Sequence, residues 1–257
     1  MGTNAVVDAA REALGPVGTC LPVSFTTSLS VSGQRDAVRR LEAAGYHATW
    51  TNETVGGKDA LVQLALLLAA TERMAFGTSI ANIWARPPQT AHGAAALLAQ
   101  AYPGRFVLGL GVGYPEQAAS VGRDFGRPLA TMRDYLDQMD LPTQPPAPDA
   151  AFPRIIGANG PKMLVLAGEI ADGALPAMRP PEFTAEARQT LGPDKLLVTG
   201  MRVLEDGDRD PDATAAGVRE HLAAGADHVL LLPPIGIDFA DGVGALESLA
   251  VILDRLS

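Results

Sequence analysis

The feature that most constrains this chain is a segment pattern that recurs along its length: a helix, then a glycine, then a short apolar strand. Leu41-Glu-Ala-Ala-Gly45 leads into the apolar run at 48–51, and Leu222-Ala-Ala-Gly225 leads into the run at 228–232. Glycine after the last helical turn is a common C-cap, because it adopts positive φ without steric cost. The repeated order predicts alternating strands and helices, and therefore a parallel sheet.

Eight such strands can be counted, and runs such as Phe106-Val-Leu-Gly-Leu110 are apolar without alternation, as expected of parallel strands that are covered on both faces. Eight strand–helix units in 257 residues favour a closed (β/α)8 TIM barrel over an open doubly wound sheet. We expect one compact barrel domain over residues 1–257, with short insertions. The predicted strands are 17–21, 48–52, 74–80, 106–111, 154–158, 172–175, 196–204 and 228–232.

Charge and cysteine content exclude several function classes. The 20 Lys and Arg residues against 29 Asp and Glu leave a net charge of −9, which argues against nucleic-acid binding and against docking on an anionic membrane. No stretch reaches the roughly 18 unbroken apolar residues that a membrane span needs. The single cysteine, Cys20, cannot form an internal disulfide, so we expect a cytoplasmic protein.

Barrel geometry also sorts the titratable residues, because active sites form at the carboxyl ends of the strands. Only one histidine, His92, falls near that face, so no histidine metal site is expected. The three lysines, Lys58, Lys162 and Lys195, all fall away from strand ends, which argues against Schiff-base chemistry. Glu53 directly follows the second strand, but nothing in the spacing shows the paired carboxylates of a glycosidase.

The clearest ligand signal is Gly157-Ala-Asn159-Gly160-Pro161-Lys162-Met163, where a strand passes directly into a helix. Proline suits the first helical position, Asn159 or Gly160 can cap, and the amides of Lys162 and Met163 would face an anion such as phosphate. An ordinary capped helix start explains the same residues.

Two further segments have a functional and a structural explanation. Gly109, Gly111 and Gly113 end the fourth strand, where they would let a flat ligand approach the backbone or would serve close packing. They are not a dinucleotide fingerprint, because no third glycine follows at the required spacing. In the loop after the third strand, Trp84 could form a pocket wall or simply pack, and Arg86 could neutralise an anion or lie on the surface.

Five sequence blocks follow one another along the chain. They are Leu67-Leu-Ala-Ala-Thr71-Glu-Arg73, Gly77-Thr-Ser-Ile-Ala-Asn82-Ile-Trp-Ala-Arg86, Ala101-Tyr-Pro-Gly104-Arg-Phe-Val-Leu-Gly-Leu-Gly111-Val-Gly113, Pro128-Leu-Ala-Thr-Met-Arg-Asp-Tyr-Leu-Asp137 and Gly160-Pro-Lys-Met-Leu164. In this order they resemble the luciferase-like monooxygenase superfamily, and most closely its actinobacterial branch of F420-dependent oxidoreductases. The resemblance runs from about residue 15 to 234.

The resemblance implies a barrel that holds reduced deazaflavin, coenzyme F420, or in other branches FMN, in its mouth. It implies a cis peptide at Ser79-Ile80, before Ala81, against the ring. It also places Asn52 and Glu53 beside the ring, 111–114 along the cofactor tail, and 159–163 at its phosphate. A homodimer is expected on the same ground.

There are departures from the family pattern. Cys20 stands where this branch carries a large aromatic residue, and Asn52-Glu53 replaces the acid–base histidine of the alcohol-oxidising members. Alcohol oxidation is therefore the less favoured reaction. The chain is also short for the superfamily, with little room for insertions that cover the site. With Cys20, we assign Trp84 and Met178 to the substrate pocket.

The sequence as a whole predicts an enzyme that transfers a hydride between reduced deazaflavin and a small organic substrate. Glu53 or Tyr114 would supply or accept the accompanying proton. Two alternatives remain open at this point: a monooxygenase that uses FMNH2 and oxygen, and a non-catalytic barrel that only binds the cofactor or another ligand.

Overall fold

A computed structural model describes residues 3–24, 26–205 and 210–256. Its strands run in parallel, and their order β3-β2-β1-β9-β8-β7-β6-β5-β4 closes through a further pairing of β3 with β5. The strands are β1 Val17–Cys20, β2 Ala48–Thr51, β3 Ala75–Thr78, β4 Ala81–Asn82, β5 Phe106–Gly111, β6 Arg154–Gly157, β7 Gly173–Leu175, β8 Leu196–Arg202 and β9 His228–Leu232.

Strands β3 and β4 together occupy the third strand position of the barrel. Both pair with β5, Gly77 opposite Val107 and Ala81 opposite Leu110. The predicted single strand 74–80 is therefore wrong in detail, because it is interrupted at Ser79-Ile80 and resumes at Ala81. When β3 and β4 are counted as one strand position, the sheet is the predicted closed (β/α)8 barrel, which confirms the fold.

Helices cover the outside of the barrel, and six of those in the described ranges begin with proline at the first or second position. Proline fits there because its missing N–H has no intrahelical partner in any case. The helices are α1 Thr3–Leu14, α2 Val31–Ala43, α3 Ala60–Leu68, α4 Pro88–Ala101, α5 Pro115–Ser120, α6 Pro128–Met139, α7 Pro161–Ile170, α8 Pro181–Leu191, α9 Pro211–Ala223 and α10 Phe239–Leu249, followed by a 3₁₀ turn Ala250–Arg255.

The amino-terminal end of the barrel is filled. Trp50 is fully buried inside it, and its indole Nε1 donates to His228 Nε2 at 3.1 Å. The other ring nitrogen of His228 lies 2.8 Å from the carbonyl oxygen of Gly15. A Cβ on Gly77 would lie 2.2 Å from the indole, so a glycine there makes the room that Trp50 occupies.

Helix α1 closes this end from below. Its residues Val7, Ala10 and Leu14 are buried in one cluster with Trp50 and other side chains inside the barrel. The carboxyl end of the barrel is therefore the open one. Among the described residues, no helix combines the length and the apolar content that crossing a membrane requires.

Candidate functional site

A cavity of about 390 Å³ opens at the carboxyl ends of the strands. We call it the mouth cavity. It brings together Cys20, Asn52, Ser79 and Met178, four residues that the sequence analysis assigned to the site from separate parts of the chain. The remaining lining is mostly apolar: Leu21, Val23, Leu175, Ala177, Arg202, Glu205, Leu230, Leu232, Pro233, Pro234 and Ile235.

The floor of the mouth cavity is polar. Ser79 Oγ lies 3.7 Å from Cys20 Sγ, and the Ser79 amide donates to Thr51 O at 2.7 Å. The Ser79-Ile80 peptide is cis, as the family resemblance implied. Burial raises the pKa of the Cys20 thiol. The thiol is therefore neutral at physiological pH and acts as a small wall group.

A second cavity of about 640 Å³ lies beside the first, between the loops that follow β1 and β2. We call it the side cavity. It shares Val23 and Asn52 with the mouth cavity, so the two are neighbours. Its lining is rich in hydroxyl and amide groups: Pro22, Ser24, Thr26, Thr27, Ser28, Leu29, Gln34, Thr54, Val55, Gly56, Gly57 and Lys58.

Glu53 does not face either cavity, which argues against its predicted role in proton transfer. Its side chain is 1% exposed and forms an ion pair with Arg86. The carboxylate also accepts from the amides of Ala60 and Asn82, each at 2.8 Å. Both oxygens are therefore engaged, and Glu53 ties the starts of α3 and β4 to the end of β2.

Arg86 is likewise neither a surface residue nor a free anion site. Besides Glu53 it pairs with Asp59 at 2.8 Å, and Asp59 caps α3 by accepting from the amides of Leu61 and Val62. The network of Glu53, Arg86 and Asp59, in which the first two are buried, holds the loops around the mouth. Neither alternative given for Arg86 from the sequence is correct, because both overlooked a partner 33 residues away.

Tyr114 and Trp84 lie apart from both cavities. Tyr114 is 71% exposed at the start of α5. The Trp84 indole donates to Val112 O at 2.7 Å, and its ring packs against Phe125 at 6.1 Å between centroids. The structure therefore favours the packing alternative for Trp84. Tyr114 lines neither cavity and would not contact a ligand bound in them.

The glycines that end β5 serve close packing. A Cβ on Gly111 would lie 2.5 Å from the Ile80 side chain, and one on Gly113 would lie 2.1 Å from the Gln117 side chain. Ala81 is buried in β4 and pairs with Leu110. The structure favours the second of the two explanations given from the sequence, since protein atoms occupy the space that a flat ligand would need at these positions.

The start of α7 lies at the same end of the barrel as the mouth. Of the two predicted caps, Gly160 is the N-cap residue and Asn159 is not. The Oδ1 of Asn159 instead accepts from the amide of Ala177, a mouth-cavity residue, at 2.8 Å. The Met163 amide donates to Gly160 O at 3.1 Å, so it is not free for an anion as predicted. Gly160 has open space where a side chain would stand, and Pro161 and Lys162 are exposed.

Sequence reasoning missed two charged residues at the site, Lys58 and Arg202. Arg202 ends β8, lines the mouth cavity and pairs with Glu205 at 3.2 Å. Lys58 lies in the loop between β2 and α3 and lines the side cavity. The position of Arg202 near the end of the predicted strand 196–204 could have identified it, whereas nothing local showed that the loop would bring Lys58 back to the barrel. In the described ranges no three His, Cys, Asp or Glu side chains are grouped to hold a metal ion.

Residues 16–192 match the family model described as luciferase-like monooxygenase. The chain belongs to this family. A Mycobacterium tuberculosis protein, assigned by its name to the coenzyme F420-dependent oxidoreductases, is 29% identical over 233 residues, with 73% of this chain and 66% of that protein covered. The 5,10-methylenetetrahydromethanopterin reductase of Archaeoglobus fulgidus is 27% identical over 164 residues, covering 57% of this chain and 49% of the relative. The chain thus spans about half to two thirds of these relatives.

Solved structures share the fold of this family member at low identity. An F420-dependent secondary alcohol dehydrogenase with an F420-acetone adduct superposes with a TM-score of 0.71 at 15% identity, covering 93% of this chain and 98% of that one. A Baeyer-Villiger monooxygenase component from Pseudomonas putida, in complex with FMN, gives 0.67 at 13% identity, covering 90% and 96%. Likenesses at this level establish the barrel and leave the cofactor open.

Proposed function

We propose that this family member is a coenzyme F420-dependent oxidoreductase that transfers a hydride between the deazaflavin and a small organic substrate. The observation that carries the proposal is the mouth cavity itself, with the cis Ser79-Ile80 peptide at its floor and the open start of α7 hydrogen-bonded to its wall. The Mycobacterium tuberculosis relative, which is named for coenzyme F420, supports this choice of cofactor.

The residues present fit such a group. A volume of about 390 Å³ is within the usual range for small-molecule sites, and the predominantly apolar wall suits a flat tricyclic ring. The start of α7 adds the positive end of a helix dipole beside the open space at Gly160, which suits a phosphate. The hydrogen bond between Asn159 and Ala177 connects the start of α7 to the wall of the mouth cavity, so a single ligand can reach both places.

When bound, the deazaflavin supplies or accepts the hydride. The chain's own part is to bind, orient and exclude water. Ser79 and Asn52 would orient the ring from the floor, and the apolar wall around Leu232 would keep water from the reacting face. Leu175, Met178 and Ile235 would then form the substrate side of the cavity. A small apolar or conjugated substrate suits this lining.

Fluorescence titration tests the proposal. We expect purified protein to change the fluorescence of coenzyme F420 with saturation at micromolar concentration. Gly160→Asp places a negative charge at the phosphate and should weaken binding at least about fivefold. Gln189→Asp, which adds the same charge on the exposed side of α8, is the matched control and should bind as the parent does.

The same titration with FMN separates the main alternative. Tight binding of FMN with negligible binding of coenzyme F420 would reverse the ranking in favour of an FMNH2-dependent monooxygenase. Binding of the deazaflavin without turnover of any enone, nitro compound or aldehyde would instead favour a non-catalytic barrel.

We extend the proposal to the setting of the protein: a homodimer in the cytoplasm that acts on a small-molecule substrate. Light scattering after size-exclusion chromatography should give twice the chain mass of 26.7 kDa. A mass of one chain at micromolar concentration would contradict the dimer.

A further inference from the structure

Lys58 lines the side cavity, which adjoins the mouth cavity at the shared residues Val23 and Asn52. The residue as a whole is exposed, but its ammonium donates to the hydroxyl of Thr51, a residue that is 1% exposed, at 3.2 Å. The charged end is therefore held at the barrel rim.

A chain of hydrogen bonds fixes this position. Thr51 Oγ1 accepts from Lys58 and donates to Gln63 Oε1 at 2.7 Å. Gln63 Nε2 then donates to Gln34 Oε1, and Gln34 Nε2 donates to Leu29 O at 3.1 Å. Each donor in this chain has one defined acceptor, so it specifies one orientation for the Thr51 hydroxyl. The bond to Thr51 uses one of the three ammonium protons.

The other titratable groups that line the two cavities in the described ranges are poorly suited to give up a proton. Arg202 and Glu205 form an ion pair with each other at the rim, 3.2 Å apart. Cys20 has a raised pKa because it is buried. Glu53 and Tyr114 are outside both cavities. Lys58 is the remaining candidate.

Two titratable groups on neighbouring elements act on Lys58, namely Cys20 at the end of β1 and Glu53 directly after β2. Partial burial lowers the pKa of the Lys58 amino group, while Cys20 and Glu53 oppose that change. Arg86 neutralises Glu53 from the far side. Lysine is well known to change its pKa when it is desolvated, which is why it serves as an acid or base in enzymes.

We propose that Lys58 donates the proton that completes substrate reduction, and that the substrate carries a polarised double bond, as in an enone, an aldehyde or a nitroalkene. This inference rests on the proposed function. A hydride adds to the electron-poor end of the double bond, and the two electrons leave the deazaflavin oxidised. The other end takes a proton from the Lys58 ammonium, and the neutral amine regains one from water through the side cavity. Thr51 and Gln63 are positioning residues.

Kinetics of variants give the first test. Lys58→Met should lower kcat about 100-fold or more, while the affinity for coenzyme F420 stays within about twofold. Lys58→Arg keeps the charge but cannot release its proton, so it should restore substrate affinity and not kcat. Ethylamine should partly rescue Lys58→Ala. Lys195→Met is the control. Lys195 directly precedes β8 at the amino-terminal end of the barrel, so this variant should keep full activity.

A spectroscopic measurement on the same protein does not depend on turnover. The chain has three lysines, so after reductive methylation with ¹³C-formaldehyde it gives three lysine methyl signals, which the Lys58→Met spectrum assigns. The Lys58 signal should titrate below the ordinary range of a lysine amino group, because burial lowers its pKa. Thr51→Val, which removes the acceptor of Lys58, should move this titration and lower kcat without changing the affinity for coenzyme F420.

The outcomes separate the two proposals. Full activity of Lys58→Met beside an active parent overturns the role of Lys58 and leaves the proposed function intact. Titration of Lys58 in the ordinary range of a lysine amino group also overturns the inference, because the ammonium would then be fully solvated. A parent that binds no coenzyme F420 overturns the proposed function and the inference with it.

Discussion

The two ends of the barrel are built in opposite ways. At the amino-terminal end, Trp50, His228 and helix α1 fill the interior, and both ring nitrogens of His228 have partners. At the carboxyl end, two adjoining cavities are open, and Met178 and Ile235 remain largely exposed. The contrast separates stability from ligand binding, as is general for this fold.

Three glycines differ in their surroundings in the same way. At the filled end, Gly18 and Gly77 make room for the rings of His228 and Trp50, because a Cβ at either position would lie within 3 Å of a ring atom. At the open end, a Cβ on Gly160 would meet no atom within 4 Å apart from those of its chain neighbours and its own helix backbone. The first two glycines serve packing, and Gly160 leaves open space at the start of α7.

The largest expected effect is on stability at the filled end. Trp50→Ala should lower the free energy of unfolding by about 3 to 5 kcal/mol, because it removes a fully buried aromatic ring and leaves the imidazole without its donor. Urea denaturation measures this change. A loss below about 1 kcal/mol would show that the end is not a packed plug.

The Glu53–Arg86 pair should have a comparable effect on stability at the loops around the mouth. Arg86→Met leaves a buried carboxylate without its partner and should cost about 3 to 5 kcal/mol. The double variant Glu53→Gln with Arg86→Met should recover part of this loss and keep turnover. Loss of turnover in a folded double variant would instead show that Glu53 takes part in the reaction.

The filled end should also show a pH dependence of stability. Burial lowers the pKa of His228 to about 4 from its ordinary value of 6.5. The unfolded chain therefore binds the proton first as pH falls, and the free energy of unfolding should decrease between pH 6.5 and pH 4 by about 3 kcal/mol. Below pH 4 both states are protonated and the loss stops growing.

The control for this dependence is His228→Gln. It should be less stable at pH 7 but should show a flatter decrease on acidification, since His92 and His221, whose pKa values are also lowered by burial, are retained in both proteins. Equal slopes in the two proteins would exclude His228 as the source.

The smallest effect on stability is expected at the mouth. Met178 is 54% exposed, so Met178→Ala should change the free energy of unfolding by less than about 0.5 kcal/mol. Its effect should appear in the KM of the substrate instead. A large loss of stability would mean that the wall of the mouth cavity is part of the core.

The barrel could be predicted from the sequence because its signals are local. Glycine after a helix, proline at a helix start and unbroken apolar strands recur along the chain, and they define the strand ends that form the mouth. The assignment of Cys20, Asn52 and Ser79 to the site at those ends came from the family resemblance. The break between Thr78 and Ala81 has no such local signal, and its cis peptide followed from the family resemblance alone. The short helix α5 was missed because six residues give too little periodicity.

The chemistry of the site could not be predicted in the same way, because it depends on distant pairs. Glu53 was selected for its position after a strand, but its partner Arg86 lies beyond the next helix and strand. Lys58 was set aside because it is not at a strand end, yet the loop at 54–58 returns it to Thr51. Position along a strand shows which end a residue occupies, whereas side-chain partners decide whether it faces the cavity.

The most direct test of the account is a crystal structure with coenzyme F420 bound. We expect the deazaflavin ring in the mouth cavity against Ser79-Ile80, and its phosphate at the start of α7 within hydrogen-bond distance of the Lys162 amide. A ring bound elsewhere, or a phosphate seated at another helix, would contradict the central claim that the open end of this barrel is a deazaflavin site.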